Sequence, residues 1–339
     1  MTSLFTPLQG KVLDALQSPL PFVRRPFLVL EKELGIPEGD IINIAGELKK
    51  DGVIRNIAGI FDGERLGYSL SLVAFQLSNE NVERAAALVN AHPGVSHNYL
   101  RDHKYNLWFT IAENSAKNLK RSIDVLALNS GALSHLIMKN ERLIKIGFRL
   151  NMAASPSPQP AAALRSGEQR ALTQREKTAV WLLQKDMPLC ERPFKELSVE
   201  TDFSEDELIE TAASLEENGV MRRYSAVLRH QKAGYNFNAM TAWKFTKNSS
   251  DDKAIKPFAE SPSVTHLYVR TVHPGEWEYP LFAMIHAKSE NELNEIIDDL
   301  SKQSGLYDKL VLHSLKEFKK QKVIYFSPDF QKWKEENYD

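Results

Sequence analysis

The chain has 339 residues, with 43 lysines and arginines against 44 aspartates and glutamates and a single cysteine, Cys190. Its 42% hydrophobic and 26% charged content is that of a globular protein long enough for more than one core. Near-balanced charge argues against a protein held to nucleic acid by a basic surplus, one cysteine excludes a disulfide framework, and no apolar run reaches the ~18 residues of a membrane span.

The first residues, MTSLFTPLQGKVLDAL, lack the basic-then-apolar order of a secretion signal, so the expected compartment is the cytoplasm. Residues 10–18 read as a helix, and Pro26 to Leu34 as a second, stopped by Gly35. Pro37 to Lys50 read as a third, with Ile41, Ile44, Ala45 and Leu48 at helical spacing, which makes a helix-turn-helix pattern. Residues 69–77 read as a buried strand, 82–91 as a helix, 95–102 and 105–112 as strands, 116–128 as a helix and 133–146 as a last strand. That order, βαββαβ, is a ferredoxin-like plait with helices on one sheet face and a second face left for a partner or a ligand. Residues 151–172 are rich in Pro, Ala and Ser and read as a linker.

Beyond the linker the pattern returns. Arg25-Pro26-Phe27 comes back as Arg192-Pro193-Phe194, Gly67-Tyr68 as Gly234-Tyr235, and the run from Pro93 to Arg101 as the run from Pro262 to Arg270. The expected organisation is therefore a helix-turn-helix with wing at 1–68, a plait at 69–150, a linker at 151–172, a second helix-turn-helix with wing at 173–235 and a second plait at 236–339. The fold class is α+β, a tandem repeat arranged as an intrachain pseudo-dimer.

The third helices have the wrong charge for DNA. Residues 37–51 carry Glu38, Asp40, Glu47 and Asp51 against Lys49 and Lys50, and 204–218 carry Glu205, Asp206, Glu207, Glu210, Glu216 and Glu217 with no lysine or arginine. Such helices are repelled by a phosphate backbone, although acids near a helix start also serve the helix dipole. No DNA binding is expected.

Polar chemistry collects on the strands instead. Alternation puts Val95, His97, Tyr99, Arg101 and His103 on one face of 95–103, and Val264, His266, Tyr268 and Arg270 on the matching face of 264–270. The ordinary alternative is a solvated edge. A second cluster holds Arg222, Arg223, Arg229 and His230, with a solvated wing as its ordinary reading, and His286 interrupts an apolar strand, as a satisfied core histidine also could. Phosphate-loop, dinucleotide and nucleophile-elbow motifs are missing, and the nine histidines show no zinc spacing. Arginines with histidines, tyrosines and tryptophans such as Trp108, Trp243 and Trp277 suit a large, flat, polycarboxylate ligand.

The duplicated helix-turn-helix plus plait resembles the Lrp/AsnC superfamily, and its particular strings resemble the siroheme decarboxylases within it. The run His92 to Thr110 looks like the signature of one subunit of that enzyme. Ala226-Val227-Leu228-Arg229-His230, Gly234-Tyr235, Asn238-Ala239-Met240 and Trp277 to His286 look like that of the other, so the resemblance implies a natural fusion of the two. Ser225, Pro280 and Ala287 stand where Gly, Asn and Gly are usual.

The resemblance implies loss of two acetate carboxyls from siroheme, giving 12,18-didecarboxysiroheme for haem or haem d1 synthesis, with siroheme as substrate and no required cofactor. His103, His230 and His286 are the expected acids. His97, Tyr99, Arg101, Arg222, Arg223, Arg229, His266, Tyr268 and Arg270 are the expected substrate-binding groups. A protein metal ligand is not assigned, a small tetrapyrrole is the expected partner, no membrane is involved, and self-association is left open. Two alternatives stay open: a ligand-responsive transcription regulator, and a haem-binding sensor without turnover.

Overall fold

The computed structural model describes residues 5–146, 171–228, 237–245 and 251–338. The chain forms two compact units, and they are not the two halves of the sequence. One unit takes residues 1–66, 149–233 and 325–327; the other takes 67–148, 234–324 and 328–339. Like parts of the two halves have come together.

The first unit holds both helix-turn-helix segments. Its helices are α1 (Pro7–Gln17), α2 (Pro26–Leu34), α3 (Glu38–Lys50), α6 (Gln174–Leu183), α7 (Pro193–Ser198) and α8 (Glu205–Glu217). α1 starts earlier than hydrophobic spacing suggests because Thr6 and Gln9 form a capping box and Pro7 occupies the first turn. Thr173 with Glu176 and Ser204 with Glu207 do the same for α6 and α8. Gly35, at φ +68°, ends α2 in the left-handed region.

The repeated Arg-Pro-Phe motif now has a reason. Pro26 and Pro193 open α2 and α7, and Phe27 and Phe194 are fully buried. Arg25 and Arg192 form ion pairs with the buried Glu38 and Glu205 at the starts of α3 and α8. The wing strands do not fold back within their own halves. β1 (Ile54–Phe61) pairs antiparallel with β6 (Met221–Leu228), Ala58 opposite Ser225.

The second unit holds both plaits. The first comprises β2 (Ser69–Gln76), α4 (Val82–Ala91), β3 (Val95–Arg101), β4 (Leu107–Glu113), α5 (Ala116–Ser130) and β5 (Ser134–Ile146). The second comprises β7 (Phe237–Trp243), α9 (Asp251–Glu260), β8 (Val264–Arg270), β9 (Leu281–Ala287), α10 (Glu290–Ser304), β10 (Lys309–Leu312) and β11 (Ser314–Lys320), followed by α11 (Asp329–Asn337).

The strands form one nine-stranded sheet in the order β10-β7-β9-β8-β5-β2-β4-β3-β11. Long strands make the exchange. β5 pairs with β2 along Ser134–Lys139 and then crosses to β8 along Asn140–Ile146. Reciprocally, β10 pairs with β7, and after His313 the chain continues as β11 along β3 of the first plait. Because β10 and β11 are successive segments of one run, the sheet returns on itself through His313.

Two helix-covered cores lie on its outer faces. Val73, Phe75, Val89, Phe109 and Ile123 pack in the first plait, and Trp243, Phe258, Leu267, Ile285 and Ile297 in the second. The inner faces meet in a third core that mixes both plaits: Leu72, Tyr105, Trp108, Leu136 and Met138 with Ala242, Trp277, Phe282 and Leu312. The sheet face that a lone plait would leave open is thus largely buried by its duplicate.

Candidate functional site

The two His-Tyr-Arg rows occupy the inner face of the closed sheet. Opposite His97 and Tyr99 in the register stand Thr110 and Trp108 of β4; opposite His266 and Tyr268 stand Met284 and Phe282 of β9. The rows are built alike. His97 stacks beside Tyr99 with ring centroids 6.3 Å apart and 23° between planes, and His266 beside Tyr268 at 6.4 Å and 17°. Arg101 lies 5.2 Å from the Tyr99 ring centre and Arg270 4.6 Å from that of Tyr268, both in cation–π range. The Nδ1 atom of each histidine is 2.9 Å from the hydroxyl of the preceding residue, Ser96 or Thr265.

Val95 and Val264 depart from strict alternation. A register irregularity follows each of them, so both turn to the helix-covered cores while the histidines face inward. Gly94 precedes the first irregularity, and a Cβ there would lie 2.0 Å from the Ala112 carbonyl oxygen, so only glycine fits.

The arginines are also reciprocal. Nη1 of Arg101 donates to the Leu312 carbonyl at 2.7 Å and to Ser314 Oγ at 3.1 Å; Nη1 of Arg270 donates to the Met138 carbonyl at 3.2 Å. Each arginine therefore grips the crossing strand contributed by the other plait. Both are buried. Burial lowers Arg101 to about 10, with partial compensation from Tyr99, and it stays a cation at neutral pH. Among the described residues its Nε has no hydrogen-bond partner and no carboxylate contributes to its shift.

His103 sits in the β3–β4 turn. Its Nδ1 accepts the Tyr105 N–H at 3.1 Å, which leaves the ring proton on Nε2. The ring stands edge-on to Trp277 at 5.6 Å and near Trp108 at 6.4 Å. Burial lowers its pKa and keeps it neutral at pH 7. The related His273 is 3.0 Å by its Nε2 from the Ile137 carbonyl. His286 lies on β9 opposite Asn238, alternating with Phe282 and Met284 on the inner face, and is half-buried.

Arg222 is in the first unit, on β6, and pairs with Asp62 at 2.8 Å; Arg223 faces Ile60 across the same two strands. Arg229 and His230 lie outside the described residues. Trp243 does not join the inner face: it is fully buried in the helix-covered core, its Nε1 donating to Thr241 Oγ1 at 2.8 Å. Trp108 and Trp277 do lie inward, yet both are buried against each other at 5.2 Å, so they are wall rather than exposed stacking platforms.

Sequence reasoning missed two features. One is Glu317 of β11, which stands directly across from Tyr99, and whose charge adds to burial in raising the Tyr99 pKa. The other is a polar cluster under α11. His92 accepts the Gly94 N–H on Nδ1 at 3.0 Å, its Nε2 lies 3.2 Å from Ser122 Oγ and 3.3 Å from Glu113, and Lys334 pairs with Glu113 at 2.8 Å. Neither His92 nor Glu113 is solvent-accessible, so this cluster is structural despite its resemblance to a catalytic triad. Among the described residues no group of His, Cys, Asp and Glu is arranged to hold a metal ion, and no helix is long and apolar enough to cross a membrane.

Two family models match the chain, each twice. An AsnC-like ligand binding domain matches residues 65–145 and 232–319, and a siroheme decarboxylase NirDL-like HTH domain matches 9–55 and 176–222. Siroheme decarboxylase of Hydrogenobacter thermophilus is 38% identical over 324 residues, spanning 95% of this chain and 96% of that one. The siroheme decarboxylase beta subunit of Oleidesulfovibrio alaskensis is 36% identical over 157 residues, 46% of this chain and 99% of its own length, which marks the repeat unit. The crystal structure of the siroheme decarboxylase NirDL matches with a TM-score of 0.80 at 34% identity, covering 97% of each chain. The same enzyme in co-complex with an iron-uroporphyrin III analogue matches at 0.77, covering 96% of this chain and 97% of that one. In sequence along nearly its full length, and in fold, the chain belongs to the siroheme decarboxylase family.

Proposed function

We propose that the chain removes two acetate carboxyl groups from siroheme, giving 12,18-didecarboxysiroheme for haem or haem d1 synthesis, and that it does so in the cytoplasm without an added cofactor. The observation that carries this reading is the full-length likeness to siroheme decarboxylases, with paired His-Tyr-Arg rows at matching places in both plaits.

In each event the bond between the acetate methylene and its carboxylate breaks. CO₂ leaves, the electron pair stays on the methylene carbon, delocalised into the macrocycle, and a proton completes the methyl group. An acid positioned at that carbon is what the protein must supply. His103, beside the aromatic wall, is our acid in the first half; burial favours its neutral form, so it takes up a second proton before it can deliver one to that carbon. His286 is our second acid, and His230 a third, outside the described residues. His97, Tyr99, His266 and Tyr268 meet the macrocycle edge, and Arg101 and Arg270 hold carboxylates through the parts of their guanidinium groups not given to backbone carbonyls. Arg222, Arg223 and Arg229 are further carboxylate contacts in our reading, although Arg222 would have to share its charge with Asp62.

We also infer that the helix-turn-helix segments do not read DNA. Arg25 and Arg192, cations that could have met phosphates, are engaged by Glu38 and Glu205. The direct experiment is anaerobic incubation with siroheme followed by mass spectrometry. Loss of two CO₂ supports the enzyme. A shifted absorption spectrum with siroheme returned intact makes the chain a haem-type binder instead.

A further inference from the structure

The two plaits differ in the turn that follows each row. From the row arginine to the next tyrosine the chain takes four residues in the first half, Arg101 to Tyr105, and nine in the second, Arg270 to Tyr279. The longer turn is firmly built. His273 and Trp277 pair across it, the His273 N–H donating to the Trp277 carbonyl at 2.8 Å and the Trp277 N–H to the His273 carbonyl at 2.7 Å. Gly275, at φ +81°, makes the reversal. Three side chains tie the turn down. His273 Nε2 donates to the Ile137 carbonyl of β5 at 3.0 Å, Glu278 pairs with Lys244, and the Tyr279 hydroxyl donates to Asp308 at 3.0 Å.

What this turn delivers is one fixed indole. Trp277 is buried, its Nε1 donates to the Tyr279 carbonyl at 2.8 Å, and its ring stacks on Phe282 at 5.7 Å with 14° between planes. In the first half the matching bond comes from the strand: Trp108, the counterpart of Phe282, donates to the Tyr105 carbonyl at 2.6 Å. The longer turn therefore adds an indole with no counterpart in the first half, and that indole reaches the other plait. It meets Trp108 at 5.2 Å and stands edge-on to His103 at 5.6 Å.

His103 needs such a neighbour. The Tyr105 N–H holds its Nδ1, and the Tyr105 ring lies 6.1 Å away. A single hydrogen bond at Nδ1 leaves the imidazole able to swing about its outer torsion, and an indole packed against it closes that swing. Burial is the main cause that keeps the His103 pKa below its ordinary value; the Tyr105 contact and Asp102 raise it, and Lys104 lowers it.

We propose that Trp277 is a positioning residue for His103: the second half lends the first an indole that fixes the imidazole toward the tetrapyrrole. The proposal rests on the reading of the chain as a siroheme decarboxylase with His103 as an acid. Trp277 acts through His103 and takes no part in the proton transfer itself.

The test begins without siroheme. Exchange of the imidazole C2 hydrogen for deuterium, read by mass spectrometry of peptides from the full chain, follows each histidine separately. In wild type His103 is expected to exchange more slowly than the exposed His313. Trp277→Leu should speed His103 several-fold and leave the sealed His92 unchanged, while Trp277→Phe, which keeps a flat ring, should stay near wild type. With siroheme, Trp277→Leu is expected to lose roughly tenfold in kcat with KM little changed, and Trp277→Phe to lose less. A wild-type His103 as fast as His313 would overturn the proposal without any variant. So would a Trp277→Leu chain in which His92 speeds up as much as His103, which would make Trp277 ordinary packing. A raised KM at unchanged kcat would make Trp277 a substrate contact and overturn it as well. A wild-type chain that binds siroheme and releases no CO₂ would overturn the decarboxylase reading, a failure distinct from these because the exchange pattern involves no siroheme.

Discussion

At the scale of single residues, the chain uses the same chemistry twice with different purposes. Histidines on the inner face are half-buried and approachable, whereas His92 is sealed beneath α11 and serves structure. For Glu113, burial opposes the charge, but hydrogen bonds from His92, Lys334 and Ser122 outweigh it and hold the carboxyl at about 2. Burial lowers His92 below its ordinary value. Both shifts have the same sign for stability, because in each case the unfolded chain takes up the proton first. The His92 contribution is complete above about pH 6.5 and is lost below it; the Glu113 contribution is lost between about pH 4.5 and 2. Denaturant titrations at stepped pH should show stability falling as the solution is acidified. Glu113→Gln should cost about 3 kcal/mol by leaving Lys334 unpaired in a largely buried place. A variant as stable as wild type would show that the cluster contributes nothing net.

At the scale of elements, the important pieces are those that leave their own half. Hydrophobic spacing and punctuation reveal α2, α3, α4, α5 and the strands of the first plait nearly to the residue, because each has one apolar face and a recognisable cap or glycine stop. The His-Tyr-Arg rows are legible for the same reason, since strand alternation survives even where Val95 and Val264 break it. What alternation cannot give is the neighbour. Nothing in the run Ser314–Lys320 announces that it pairs with β3, so Glu317 stays invisible until the register is known. Trp243 is misplaced by composition alone, because an aromatic residue suits a ligand wall and a helix-covered core equally well.

α11 is the other unforeseen element. Its polar sequence hides an anchor of two aromatic side chains, with Trp333 4.2 Å from the His92 ring and Phe330 5.7 Å from Tyr68. Ending the chain at residue 327 should uncover Glu113 and destabilise the first plait. Hydrogen exchange at 107–126 is expected to rise while 281–300 stays protected. Equal protection in both segments before and after truncation would mean that α11 is dispensable.

At the scale of the whole molecule, duplication solves a packing problem and makes an unequal pair. Each plait has an inner face it cannot bury alone, and the reciprocal crossing of β5 and β10–β11, gripped by Arg101 and Arg270, buries both. The covalent link between halves then matters less than the exchanged strands. A protease site placed within 151–172 and cut should leave the two fragments together through size-exclusion chromatography; their separation would show that the linker, not the sheet, holds the pair. Once paired, the halves are free to differ: Glu317 stands across from Tyr99, whereas Leu143 of β5 stands across from Tyr268. The most direct test is anaerobic incubation of the purified full chain with siroheme and mass analysis of the tetrapyrrole. A product lighter by two CO₂, with two acetates replaced by methyl groups, is the expected result; siroheme that binds and is recovered unchanged would contradict it.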